Sequence, residues 1–250
     1  MKKNLIKKII KTCFINKKGH IASALSVLDF MHFLFFKVLR DNDHFVLSKG
    51  HASLALYAIF MEKGFITEED FFSFCQENSI LGGHPSSNKI KQVMLSTGSL
   101  GHGLPFCVGL ALAKKIKKES GNVFCLIGDG EANEGTIWES ALIASTHNLN
   151  NLICIMDFNK SGERAIKLNS CVDKFESFNW SSFLVENGHE EKEISKAINS
   201  ALKDKPSKPK FIQLNTIKGY GCAPMENNPE WHHKQPQDEE QLKFLLDGVI

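Results

Sequence analysis

The sequence predicts an α/β fold: a mostly parallel central sheet flanked by helices. Two apolar runs carry the prediction. Val123 to Ile127 and Leu152 to Met156 are hydrophobic and partly β-branched throughout, as strands buried on both faces are. Between them Glu134 to His147 has helical length, and Ile137, Ala141, Leu142, Ala144 and Ser145 give it a small apolar face that can lie on a sheet. That separation suits a right-handed parallel crossover. Each run then ends in a polar turn, Gly128-Asp129-Gly130-Glu131 after the first and Asp157-Phe158-Asn159 after the second.

Parallel strands put their carboxyl ends on one edge, where open α/β sheets bind ligands. Asp129 and Asn159, distant in sequence, are therefore expected to converge there. Two glycines flanking Asp129 permit a sharp turn and close approach of something bulky. One carboxylate and one amide oxygen make an incomplete cage. They suit a magnesium ion that completes its shell with a backbone carbonyl, a water and a ligand's phosphates. The plainer alternative leaves Asp129 as a helix cap with no ion.

The remaining elements follow in order. Residues 1–20 place Leu5, Ile6, Ile9, Ile10 and Phe14 at helical spacing among lysines, predicting an amphipathic helix packed on the rest of the domain. A second helix is expected from Ser23 to Val38 and a third from Ala52 to Lys63, closed by Gly64. Thr67 and Asp70 form a capping pair. The glycine-rich stretch Ser96 to Pro105 leads into a helix from Phe106 to Lys118, and its exposed amides could cradle a diphosphate. A strand is expected at Ser182 to Glu186, a helix at Ile194 to Leu202, a last strand at Phe211 to Leu214 and a terminal helix at Asp238 to Leu246. The long irregular stretch from Thr216 to Lys234 is of a kind that usually carries function.

Composition narrows the classes. The chain has 250 residues, 42% hydrophobic and 23% charged, which is ordinary for a globular α/β domain. A formal charge of +2 gives no reason to expect nucleic acid or a membrane surface as partner. The seven cysteines include no Cys-x-x-Cys pair, and Cys125 and Cys154 fall inside the apolar runs. Reduced, packed thiols in a cytoplasmic protein are expected. Lysines interrupt the first helix, so a signal-peptide core is not expected. Leu28 to Leu39 is apolar but broken by Asp29, His32 and Lys37, too short to span a bilayer.

Several motifs together resemble those of transketolases. They are Gly128-Asp129-Gly130 with Glu134-Gly135, Trp138-Glu139, Asn151-Leu152-Ile153 and Asn159; Gly19-His20 through Asp29; Leu47-Ser48-Lys49-Gly50-His51-Ala52; Gly83-His84-Pro85; Thr97 to Gly103; and Thr216-Ile217-Lys218-Gly219-Tyr220-Gly221 followed by Glu226-Asn227 and Trp231-His232. The resemblance covers nearly the whole chain and implies a thiamine diphosphate-binding fold of the diphosphate type, spanning 1–250. It implies magnesium (with Ca²⁺ or Mn²⁺ as substitutes) held by Asp129, Asn159 and the backbone carbonyl near Ser161. Cofactor contacts are implied for His51, Gly98, Ser99, Leu100, Gly128, Asp129, Gly130, Glu131, Asn159 and His232. His20, His51, His84 and His232 are implied in proton and oxyanion handling, and Glu134 in contact with a partner's activating glutamate. The residues alone leave bland roles open for His20, His84 and Glu134, and do not decide between substrate and surface for Arg164. Two departures stand out: His102 where glutamine is usual, and His233 where glycine is usual.

The activity implied is two-carbon ketol transfer from a ketose or ketose-phosphate donor to an aldose acceptor, a transferase reaction. In this family the glutamate that activates the cofactor lies in a separate pyrimidine-binding domain, which these residues do not match. The chain thus resembles the amino-terminal subunit of a split transketolase, active with a carboxy-terminal partner subunit in a heterotetramer. Two other readings are one component of a thiamine diphosphate-dependent 2-oxo acid decarboxylase or dehydrogenase, and a non-catalytic scaffold retaining the fold.

Overall fold

In chain order the elements are α1 (Lys2–Asn16), α2 (Ile21–Phe33), β1 (His44–Leu47), α3 (Ser53–Glu62), α4 (Glu68–Phe72), α5 (Gly103–Lys117) and β2 (Val123–Gly128). Then come α6 (Gly135–Thr146), β3 (Leu152–Phe158), α7 (Val172–Ser177), β4 (Ser181–Val185), α8 (Glu191–Lys203), β5 (Lys210–Asn215) and α9 (Glu239–Asp247). The computed structural model describes residues 2–204, 207–231 and 234–250, with Arg164 described by its backbone. The chain divides into two compact units, one of residues 1–32, 50–98 and 217–250, the other of residues 33–49 and 99–216.

The second unit holds the sheet. Its order is β1-β2-β3-β5-β4 and every neighbouring pair is parallel. The expected α/β class, a parallel sheet flanked by helices, is what forms. Every residue of β2 and β3 is buried, which explains the unbroken apolar runs. Gly128 pairs with Asp157 and Phe158 with Asn215, so β2, β3 and β5 end level with one another. The helix expected from Phe106 begins at Gly103, three residues earlier, because the glycine-rich turn closes directly into the helix. Strand β1 was not expected as a strand. It has only four residues, and its first two are half-buried.

The first unit is helical. Helix α1 buries Leu5, Ile6, Ile9, Ile10 and Cys13, the face expected from its spacing, and packs on α3, α4 and α9. Helix α3 is buried all round from Ser53 to Phe60, as a helix without a polar face must be. Gly64 follows it at φ +72°, and the Thr67–Asp70 capping box forms with both reciprocal bonds. Helix α2 continues as a π-helical turn, so Ile21–Val38 is 18 residues of mean hydropathy 1.6, long and apolar enough to cross a membrane by those measures. Of it, 78% is buried inside the protein. All seven cysteines are free thiols.

Candidate functional site

In the sheet-bearing unit, the level ends of the parallel strands gather the polar groups. The Asp129 and Asn159 turns meet: Gly162 donates its amide to Asp129 Oδ2 at 3.1 Å, and Gly130 donates to Oδ1 at 2.8 Å. A Cβ at Gly162 would lie 2.7 Å from the Gly130 nitrogen, so only glycine allows this approach. The Asn159 amide is oriented from both sides, its Nδ2 donating to Asp157 Oδ2 at 2.9 Å and its Oδ1 accepting from Ser161 N at 3.0 Å.

Behind this lies a group with no local signature in the sequence. The Lys49 ammonium pairs with Asp157 Oδ2, and the Thr216 hydroxyl donates to Asp157 Oδ1. Lys49 lies just past the end of β1, Asp157 is the last residue but one of β3, and Thr216 directly follows β5. Strand register alone brings them together. A lysine after one strand and an aspartate at the end of another were the available signal.

Glu131 turns inward. Its Oε1 accepts from the Ser48 hydroxyl at 2.5 Å and from the Gly101 amide at 2.9 Å, and its Oε2 accepts from the Gly128 amide at 2.9 Å. Burial pushes its carboxyl above the usual range, while these three donors and Lys49 pull the other way. Burial also raises Asp129, reinforced by the Asp157 charge and opposed by the Gly162 amide, Lys49 and the Gly130 amide.

Asp129, Glu131, Asp157 and Lys49 are exposed by only 6%, 0%, 0% and 1%, so three carboxylates face one ammonium in a region closed to water. That excess negative charge suits a cation. Among the described residues no group of three or more His, Cys, Asp or Glu side chains could hold a metal unaided. A hard cation at Asp129 and Asn159 would therefore complete its shell with backbone carbonyl, such as that of Ser161, and with phosphate. This donor chemistry fits magnesium.

Beside this turn, Ser99 is exposed, Leu100 is half-buried and Gly101 is buried at φ +83°. Gly101 is pressed against Glu134 and Thr136, a Cβ there falling 2.7 Å from Glu134 Cβ. Glu134 itself is exposed at the start of α6, as is His102 before α5.

The helical unit carries the histidine loops. The rings of His20 and His51 meet edge to face at 5.7 Å between centroids. His51 lies in a single 3₁₀ turn, Gly50–Ala52, immediately before α3. A Cβ at Gly50 would come 2.6 Å from Thr97 Oγ1, and one at Gly98 would come 3.3 Å from the His84 ring. The His84 loop is held by α3, since Ser53 and Tyr57 donate their hydroxyls to the Gly83 and Gly82 carbonyls at 2.9 and 3.1 Å. His20, His51, His84 and Gly98 thus belong to one set of touching loops. His232 and His233 lie outside the described residues, as does the side chain of Arg164.

Comparison with known proteins gives these loops a context. The family described as transketolase, thiamine diphosphate binding domain, matches residues 8–246. Transketolase-like protein 2 of Mus musculus is 38% identical over 261 residues, covering 98% of this chain and 40% of that protein. A protein of Phocaeicola vulgatus named as one subunit of an apulose-4-phosphate transketolase is 36% identical over 248 residues, covering 94% of this chain and 87% of that one. The crystal structure of transketolase from Campylobacter jejuni superposes with a TM-score of 0.89 at 28% identity, over 99% of this chain and 42% of that one. This chain therefore spans about two fifths of the length of the transketolase-like relatives, and most of the length of the subunit. By the match over nearly all its residues, this chain belongs to the transketolase family, as a thiamine diphosphate binding domain.

Proposed function

We propose that this chain is the diphosphate-binding subunit of a split, thiamine diphosphate-dependent transketolase, with the whole of 1–250 serving that one purpose. The observation that carries the reading is its span: 87% of a relative named as one subunit of a transketolase, against 38% and 40% of relatives named transketolase-like. Thiamine diphosphate supplies the carbanion chemistry for two-carbon ketol transfer. In this reading the chain's own residues bind and orient. Asp129, Asn159 and the Ser161 carbonyl hold magnesium, and the amides of the Ser99–Gly103 turn receive the diphosphate. His20, His51 and His84 manage protons and developing charge on sugar oxygens.

A carboxy-terminal subunit supplies the pyrimidine-binding domain, and two copies of each chain form a heterotetramer in the cytoplasm. Glu134, exposed at the start of α6, can reach such a partner. The substrates are sugar phosphates. Apulose 4-phosphate, for which the subunit relatives are named, is the first donor to assay. The test combines the purified chain with the partner subunit, thiamine diphosphate and magnesium. Ketol transfer is expected from the mixture and not from the chain alone. Turnover of 2-oxo acids in place of ketose phosphates would overturn the reading, as would full ketol transfer by the single chain.

A further inference from the structure

We infer that Glu131 is a positioning residue for the cofactor's diphosphate, acting through the backbone it holds and not by touching the ligand. The inference rests on the thiamine diphosphate reading above. The Glu131 carboxylate is wholly closed to solvent and ties together three segments far apart in sequence: Ser48 after β1, Gly101 in the glycine-rich turn, and Gly128 at the end of β2. All three are donors, and both carboxylate oxygens are engaged by them.

The ties continue outward. Ser48 Oγ accepts from the Gly103 amide at 3.1 Å, and a Cβ at Gly103 would fall 2.3 Å from Ser48 Cβ. The Gly101 peptide is gripped from both sides, since its carbonyl accepts from the Thr136 hydroxyl at 2.9 Å while its amide donates to Glu131. Gly101 stands at φ +83°, and a Cβ there would come 2.6 Å from Thr136 Oγ1. One side chain therefore sets the spacing between the turn whose amides would meet phosphate and the Gly128-Asp129-Gly130 turn whose carboxylate would meet the cation.

Amides bind an anion strongly only when they are held in place beforehand. A carboxylate suits this position because it accepts at both oxygens. Glutamine would keep the shape but turn an NH₂ group toward one of the donors, leaving a buried clash of like polarity.

The experiment titrates thiamine diphosphate with magnesium into wild type, Glu131→Gln and Thr136→Val by calorimetry, with the partner subunit present, and records unfolding temperature and the rate against cofactor concentration. Glu131→Gln is expected to raise the cofactor Kd about tenfold or more, while kcat at saturating cofactor falls far less. Thr136→Val, which frees the Gly101 carbonyl, should shift Kd the same way by about threefold. A folded Glu131→Gln variant with wild-type Kd overturns the inference, as does one that loses kcat with Kd unmoved. If Glu131→Gln does not fold, Thr136→Val decides, and an unchanged Kd there overturns it. Wild type that binds no thiamine diphosphate overturns the cofactor reading itself and the inference with it. That result is distinct from wild-type binding with unmoved variants.

Discussion

The ammonium of Lys49 rests on Oδ2 of Asp157, both side chains closed to water at the carboxyl edge of the sheet. The same oxygen accepts from the Asn159 amide, so the pair also fixes the orientation of an implied metal ligand. With its Nδ2 engaged this way, Asn159 turns Oδ1 toward the Ser161–Gly162 turn. The ion pair thus connects burial, charge balance and ligand geometry in one contact.

Replacing Lys49 by Met should leave Asp157 charged and without its ammonium in a dry site. Removal of one member of a buried pair costs roughly 3–5 kcal/mol, a large part of a domain's stability. Denaturant unfolding of Lys49→Met should therefore show a loss in that range, and Asp157→Asn added to it should recover part of the loss. A change under about 1 kcal/mol for the single variant would show the pair to be solvated.

Gly162→Ala probes the meeting of the two turns. The added methyl would lie within 2.9 Å of three backbone atoms of Asp129 and Gly130, none of which can rotate away. The turns must separate, carrying Asp129 from the Asn159 loop, while β2 and β3 stay paired below. Magnesium-dependent cofactor binding should fall by about tenfold or more, with secondary structure by circular dichroism unchanged. Wild-type affinity in this variant would mean that the close approach has no part in binding.

Much of this was legible in the sequence because it depends on local pattern. The apolar runs at Val123 and Leu152 announce two parallel strands, and parallel strands send Asp129 and Asn159 to the same edge. The Thr67–Asp70 box and the buried face of α1 followed from spacing of three and four residues. Strand β1 was missed because four residues carry little periodicity. The inward turn of Glu131 was missed for a different reason. Its partners Ser48 and Gly101 lie 83 and 30 residues away, and no local pattern distinguishes an acid facing a ligand from one facing a neighbouring loop.

His44, on the short edge strand β1, gives a pH dependence apart from the site. Its pKa lies below the ordinary 6.5, first through burial and then through the Lys114 charge, with Asp43 and Glu119 opposing. A base with a lowered folded pKa binds its proton more readily when unfolded. Stability is therefore full above 6.5 and declines as pH falls through that value toward the folded pKa. His44→Gln should flatten the decline. Thermal unfolding of both proteins between about pH 7.5 and 5 checks this, and parallel curves would refute it.

Asp129→Asn separates the structural from the ligand-binding role of that residue. In the absence of cations the wild-type site keeps three carboxylates beside one lysine, all nearly closed to solvent. Removing one negative charge relieves repulsion from Asp157, and the asparagine oxygen can still accept one of the two backbone amides. The cation-free variant should then be as stable as wild type or more so, the opposite of the loss expected for Lys49→Met. Added magnesium and thiamine diphosphate should tell the two proteins apart. At a concentration one hundred times Kd a ligand stabilises its host by about 2.7 kcal/mol, and that increment should appear in wild type and vanish in the variant. A variant less stable than wild type without ligand, yet equally stabilised by it, would mark Asp129 as a structural cap for the turn with no hold on the cation.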